Sequence, residues 1–251
     1  MIRNFISRRW NRRSSNALIK YLRKKGVEIG SDVGFYGDLR NISIDITRPS
    51  LVKIGNNVKV GSPFGIITHS ADLVIFREKY KEIIGALGKV TIGNNVYIGS
   101  DVMILKGSKI GDNVIIGTKS LVTSEIPSNC VAVGIPAKKI MSLDELYEKR
   151  KKSELKEARE YALSIYETFK RLPVEEDFFE FFPLFLKRDD KSIEEFNRKL
   201  KLKMKREKRY PMSVEGQLGP AYENFLKSKP KYDSFEKFLE DIGLLKNEKK
   251  K

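Results

Sequence analysis

The stretch Ile92-Gly93-Asn94-Asn95-Val96-Tyr97-Ile98-Gly99-Ser100-Asp101-Val102-Met103-Ile104-Leu105-Lys106-Gly107-Ser108-Lys109-Ile110-Gly111-Asp112-Asn113-Val114-Ile115-Ile116-Gly117-Thr118-Lys119-Ser120-Leu121-Val122 keeps an unbroken six-residue beat. Ile92, Ile98, Ile104, Ile110, Ile116 and Val122 fall on it, with glycine following at Gly93, Gly99, Gly111 and Gly117. Four places after each beat residue stands Val96, Val102, Ser108, Val114, Ser120 or Ile126. Neither a helix nor a flat strand has this period. A short strand closed by a tight corner regains its orientation every six residues. One aliphatic side chain per repeat then enters a narrow interior, and the residue four places on fills the space beside it. Asn56-Asn57, Asn94-Asn95 and Asp112-Asn113 supply corner residues that tolerate left-handed backbone.

A weaker copy lies upstream, where Ile54, Val60 and Ile66 keep the beat with Val58, Phe64 and Ser70 four places on. Phe64 is larger than the pattern wants. Ile29-Gly30 with Val33 reads as a degenerate first coil, and Asp38 to Ser50 holds another without clear phase. Three hexapeptides per turn make a triangular parallel β-helix, and residues 28–141 supply roughly five coils of it. A chance run of short strands in a β-sandwich is the alternative, and it fits poorly, because sandwich strands alternate with period two and break at regular turn signals.

Lys and Arg outnumber Asp and Glu by 49 to 33, and the excess is uneven along the chain. Residues 1–27 hold nine basic and no acidic side chains, 28–141 hold 13 against 10, and 142–251 hold 27 against 23. More than half of the +16 net charge therefore sits in the first tenth of the chain. The lone Cys130 excludes an internal disulfide framework and points to a reducing, cytosolic compartment. No apolar run approaches the ~20 residues of a membrane span, and the Arg-rich start lacks the apolar core of a signal peptide.

Three segments follow. Residues 1–27, with Ile6, Trp10, Ala17, Leu18, Tyr21 and Leu22 among the arginines, read as basic amphipathic helix. Two roles suit it: capping the open edge of the coils, or lying on the anionic inner face of the cytoplasmic membrane. From Ser142 the beat gives way to helical spacing, and Leu155, Ala158, Ala162, Ile165, Phe169 and Leu172 form a seam at coiled-coil steps. An aromatic cluster from Phe178 to Leu186 follows, then a helix from Ile193 to Met204. A last helix is capped by Ser234 and buries Phe235, Phe238, Leu239 and Ile242. Residues 142–251 are thus expected to be a helical domain appended to the coils.

Between Ser70 and Lys89 the beat stops, and an excursion this long in a compact repeat protein usually serves a site. At its root stands His69, the one histidine of the chain. As the fourth residue of the hexapeptide that starts at Ile66, it should point outward. Imidazole titrates near neutrality and suits a general base. Cys130 reads as a buried filler, since no second histidine could activate it.

At these residues the chain resembles the hexapeptide-repeat acyltransferases, which include maltose and galactoside O-acetyltransferases, serine acetyltransferase and polysaccharide O-acetyltransferases. Val90 to Ser100 is similar to the family's approach to the cofactor, Ile116 to Thr123 to its last coil, and Gly134-Ile135-Pro136-Ala137-Lys138 to its closing G-x-P-A-[RK]. The resemblance covers 28–141 and implies an all-β, left-handed parallel β-helix, here with an N-terminal helical cap and an α-helical C-terminal extension. It also implies a homotrimer with sites at subunit boundaries, acetyl-CoA as acyl donor and no metal. His69 would be the base that deprotonates an acceptor hydroxyl during direct transfer from the thioester. Tyr97, Gly99 and Ser100 would border the thioester end, Gly117 and Thr118 the pantetheine arm, Thr123 the channel beyond, and Lys138 the nucleotide phosphates. Tyr97 stands where several sugar acetyltransferases carry tryptophan, and Ser124 replaces a frequent lysine. Asp45, Asp38 and Asn41 are all candidates to orient His69 or the acceptor.

The acceptor expected from the resemblance is a sugar hydroxyl of a bacterial surface polysaccharide such as capsule or O-antigen, reached at the cytoplasmic membrane face. N-acetylation of an amino-sugar or nucleotide-sugar, and acetylation of an antibiotic or other small molecule, are the alternatives. The hexapeptide carbonic anhydrase is excluded, because its zinc needs three histidines. A non-catalytic basic scaffold is the remaining reading. Nucleic acid fits it poorly, since no stacking aromatics interleave with the basic tail.

Overall fold

A computed structural model describes residues 12–206 and 213–245. Compact packing divides the chain into two units between Lys149 and Arg150. Ile6, Arg8, Arg9 and Trp10 of the expected basic helix lie outside the described residues.

The first unit is a three-faced coil of parallel strands. One face stacks Glu28–Ile29, Val52–Ile54, Val90–Ile92, Lys109–Ile110 and Glu125–Ile126. The second stacks Gly34–Tyr36, Val58–Gly61, Val96–Ile98, Val114–Ile116 and Cys130–Gly134. The third stacks Ile42–Ile44, Phe64–Ile66, Val102–Ile104 and Leu121–Val122. Like residues stack on like, so that Ile98 lies between Val60 and Ile116, and Ile104 between Ile66 and Val122. The six beat residues from Ile92 to Val122 and the residues four places after them are no more than 2% exposed. Each fully buried aliphatic among them contributes about 1.5–3 kcal/mol. The two serines in that set are satisfied: Ser108 donates to the Val122 carbonyl at 3.2 Å, and Ser120 to that of Gly117 at 2.7 Å.

The corners explain the asparagines. Asn57, Asn95 and Asn113 all have φ between 52 and 56°, the left-handed region. Their amides form a ladder, Asn57 donating to Asn95, Asn95 to Asn113 and Asn113 to Asn129 over 2.8–3.0 Å. Beside it the backbone amides of Asn56, Asn94 and Asp112 bond the side chains of Asn94, Asp112 and Ser128 one coil on. Each side chain thus pairs polar groups that the corner would otherwise leave without partners.

Both ends of the coil are closed. The helix Ser15–Lys25, capped by Ser14, buries Leu18, Ile19 and Leu22 in the same core as Val27, Ile29 and Phe35. Arg23 donates to the carbonyls of Ile29 and Gly30, and Ser15 accepts from the Phe35 amide. The helix thereby satisfies backbone groups that an open first coil would expose. At the other end Ala137–Ser142 folds back antiparallel on Cys130–Gly134.

Two expectations are corrected. Ser70 does not fill the interior: it pairs with Ala86 in the short antiparallel ladder His69–Ser70 with Ala86–Leu87, which leaves the coil two residues early. The excursion, read from the sequence only as a projecting loop, carries the helix Leu73–Tyr80, none of whose residues is buried.

The second unit has its own core. The helix Leu143–Phe169 starts with Ser142 and Glu145 in reciprocal capping bonds. Of the expected seam, Ala158, Ala162 and Ile165 are buried against Phe178, Phe182, Phe196 and Phe238 of the same unit, whereas Phe169 and Leu172 are exposed. The seam therefore packs within its own unit from Ala158 to Ile165 and stops about one turn before the helix ends. The helix Asp190–Arg206 buries Ile193, Phe196, Leu200 and Met204, and Ser234 caps Phe235–Asp241. Asp177 is buried and bonded by Arg171 at 2.8 Å and Lys203 at 2.7 Å. Burial would raise its pKa, but these cations and the Val174 amide hold it down to about 2.

Candidate active site

His69 stands where the chain leaves the third face for the excursion, and Asp45 stands at the same corner one coil below. Ile44 and Ile66 are paired in register, and the Asp45 amide donates to the Ile66 carbonyl at 3.1 Å. The stacking of coils therefore sets Asp45 beside His69 although 24 positions separate them in the sequence. Nδ1 of His69 lies 2.7 Å from Oδ2 of Asp45; the imidazole is 36% exposed and the carboxylate 6%. Thr68 donates its hydroxyl to Oδ2 at 2.5 Å, and Thr47 donates its hydroxyl and amide to Oδ1 at 2.6 and 2.9 Å. Burial would push the Asp45 carboxyl up, yet the bonds from Thr47, Thr68 and His69 outweigh it and hold the group well below the usual carboxylate range. Asp45 is an anion here and can only accept, so Nδ1 carries the hydrogen, and in the neutral imidazole Nε2 bears the lone pair. A partly exposed imidazole in that form can take a proton from a bound hydroxyl.

The imidazole bonds neither of the other two candidates. Asp38 is taken up by Arg40, with bonds of 2.8–3.1 Å, and Asn41 ends the short 3-10 turn Leu39–Asn41. Cys130 is fully buried, its Sγ 3.0 Å from the Pro127 carbonyl, and burial pushes its thiol up. Among the described residues, no group of three or more His, Cys, Asp and Glu side chains could hold a metal ion.

The residues expected to border the donor divide between two corners. Gly99 and Ser100, Gly117 and Thr118 stack on one another where the second face turns into the third, together with Gly61. A Cβ on Gly99 would come within 2.7 Å of the Thr118 amide, so the coils touch there backbone to backbone. Coil-to-coil bonds at this corner come from the amides of Gly99, Asp101, Gly117 and Lys119, and those of Ser100 and Thr118 stand outside that ladder. Tyr97 projects outward just before the corner and is half exposed, and Lys138 is exposed on the reversed last strand. These groups suit a long, polar, phosphate-bearing chain: backbone amides for its carbonyls, an aromatic wall and a cation. Thr123 instead lies past the end of the third face, at the corner that carries His69. Thr47 and Thr68, which grip Asp45, were missed by sequence reasoning; the signal was the Thr-His pair at the root of the excursion.

A triangular coil carrying one carboxylate-backed imidazole at an excursion, one face away from a glycine-lined polar corner, has the architecture of the hexapeptide-coil transferases. The family described as bacterial transferase hexapeptide (six repeats) matches residues 89–124. Protein CapG of Staphylococcus aureus is 38% identical over 127 residues, which cover 49% of this chain and 70% of CapG. A galactoside O-acetyltransferase of Lactococcus lactis is 36% identical over 141 residues, 53% of this chain and 63% of that one. Among solved structures, a maltose O-acetyltransferase from Clostridium difficile 630 is 30% identical, with a TM-score of 0.41 over 55% of this chain and 83% of that one. The chain belongs to the hexapeptide-repeat acyltransferase family and is a CoA-dependent acyltransferase.

Proposed function

We propose that the protein is an acetyl-CoA-dependent O-acetyltransferase that acetylates a sugar hydroxyl of a bacterial surface polysaccharide, by direct transfer with His69 as general base. The observation that carries this reading is the 2.7 Å contact between Nδ1 of His69 and the buried Asp45 carboxylate, which leaves Nε2 free. Nε2 takes the acceptor's proton as its oxygen bonds to the thioester carbonyl carbon. The carbon–sulfur bond then breaks, and the imidazolium returns the proton to the departing sulfur, giving an ester and free thiol. Base catalysis of this kind supplies about 10²–10⁴-fold. Ser100 and Thr118 hold the donor through their amides and hydroxyls, Tyr97, Gly99 and Gly117 border it, and Lys138 meets its phosphates. The sugar acceptor is supported by the galactoside and maltose acetyltransferases among the similar proteins, and a capsule setting by the similarity to CapG.

In this reading the coils are left-handed and the enzyme is a homotrimer. The third face separates the His69 corner from the Ser100–Thr118 corner, and a neighbouring copy closes the gap by setting its own corner against the first. The outward row Ser43, Gly65, Met103 and Leu121 of that face carries no charge, which suits such a contact. The cap helix, with Lys20, Lys24 and Lys25 exposed, serves peripheral binding at an anionic membrane, and residues 142–251 dock the acceptor. No helix among the described residues is long and apolar enough to cross a membrane. Purified protein offered acetyl-CoA and a panel of neutral and acidic oligosaccharides should release thiol with a sugar and show O-acetyl product by mass spectrometry. Acetylation of amino-sugars alone would replace the hydroxyl acceptor with an amine.

A further inference from the structure

Two hydroxyls converge on Asp45 from different coils. Oδ2 receives three donors from one dipeptide: the Thr68 hydroxyl at 2.5 Å, the Thr68 amide at 3.3 Å and His69 Nδ1 at 2.7 Å. Oδ1 receives the Thr47 hydroxyl and amide. Five donors meet a carboxylate that offers about four lone-pair sites, so neither of its torsions is left free.

Thr68 is fully buried where the chain leaves the coil for the excursion. Burying a hydroxyl is unfavourable unless it is bonded. The bond it makes goes to Asp45 Oδ2, the same oxygen that holds the imidazole. We infer that Thr68, supported by Thr47, is a positioning residue: its hydroxyl locks the Asp45 carboxylate in the orientation that keeps His69 in its Nδ1–H form, with Nε2 open to the acceptor. This rests on the reading of His69 as base. Asp45 is the charged group bonded to the imidazole, and the paired strand Ala86–Leu87 brings no titratable side chain to it.

Because His69 is the only histidine of the chain, untagged ¹⁵N-labelled protein gives a single imidazole whose tautomer is read by long-range ¹H–¹⁵N correlation without any acceptor. The native protein should show the Nδ1–H tautomer. Thr68→Val should populate both tautomers and lower kcat about tenfold, the order expected for a bond to a charged group, with KM for acetyl-CoA unchanged. Thr68→Ser should restore both. A native tautomer population and native kcat in Thr68→Val would overturn the inference, as would a Thr68→Ser protein as impaired as the valine variant. If Thr68→Val does not fold, Thr47→Val at the exposed side of the carboxylate should show the same tautomer mixing to a smaller degree, and an unmixed spectrum there overturns it. His69→Ala, assayed in parallel, separates the two levels. Activity in that variant removes the base itself, whereas an inactive His69→Ala beside a native-like Thr68→Val removes only the role of the threonine.

Discussion

Asp45→Asn tests the chemistry through a change of one atom. In the native site Oδ1 accepts from the Thr47 backbone amide at 2.9 Å, and Oδ2 accepts from His69 Nδ1 at 2.7 Å. A backbone amide can only donate, and one faces each oxygen, that of Thr47 at 2.9 Å and that of Thr68 at a longer 3.3 Å, so the asparagine oxygen keeps the shorter bond to Thr47 and its NH₂ turns to His69. Nδ1 must then accept, the hydrogen moves to Nε2, and the lone pair that should take the acceptor's proton is gone. The loss is that of the base, about 10²–10⁴-fold in kcat, or about 3–5 kcal/mol of barrier. The same tautomer reversal in a serine-protease triad costs about 10⁴. Acetyl-CoA affinity should hold, because the Ser100–Thr118 corner is one face away. The assay is thiol release at saturating acetyl-CoA, with a melting curve to show that the variant is folded and the imidazole spectrum to show the hydrogen on Nε2. A folded variant that keeps a third of native kcat, or one that loses activity with the hydrogen still on Nδ1, would refute the reasoning.

Three further outcomes are expected. Ser100→Trp or Thr118→Trp should abolish acetyl-CoA binding by calorimetry without lowering the melting temperature, since both side chains lie at an outer corner; unchanged affinity in both would move the donor channel elsewhere. Asp177 should stabilise the helical unit by about 2 kcal/mol above pH 4, from a folded pKa of about 2 against 3.8, and this is lost as pH falls from 4 toward 2. Asp177→Asn should therefore melt earlier at pH 7 and show a flatter acid dependence, and an unaltered melt would discount the ion cluster. A chain ending near Leu146 should fold, form trimers and bind acetyl-CoA while failing on a polymeric acceptor. Monomeric or aggregated protein would make residues 142–251 part of the scaffold.

The coils were legible because an interior one side chain wide admits a single pattern. Ile92 to Val122 state that pattern at every beat, and the left-handed corners at Asn57, Asn95 and Asn113 could be anticipated from their residue types, though not the amide ladder between them. The coil from Asp38 to Ser50 was not phased, because two 3-10 turns, Leu39–Asn41 and Pro49–Leu51, lengthen its corners and hide the pair Ile42 and Ile44. That loss of phase is why Asp45 could not be told from Asp38 and Asn41 in the sequence: its place beside His69 depends on the register of Ile44 with Ile66. The end of the coil at Thr68 was misplaced for a related reason. Ser70 satisfies the beat by composition, but the ladder to Ala86 draws it out of the interior. In the helical unit the heptad steps were real up to Ile165. Phe169 and Leu172 match the spacing but are exposed in this unit, since periodicity does not say where a partner surface ends.

The central claim is that a single imidazole carries the proton transfer while a separate corner holds the donor. Its most direct test is His69→Ala, measured for turnover with acetyl-CoA and a sugar acceptor and, on the same preparation, for acetyl-CoA affinity by calorimetry. Turnover at least about 10²-fold below native, with affinity within about twofold, is the predicted result. Half-native turnover, or a loss of activity matched by a loss of donor binding, would contradict it.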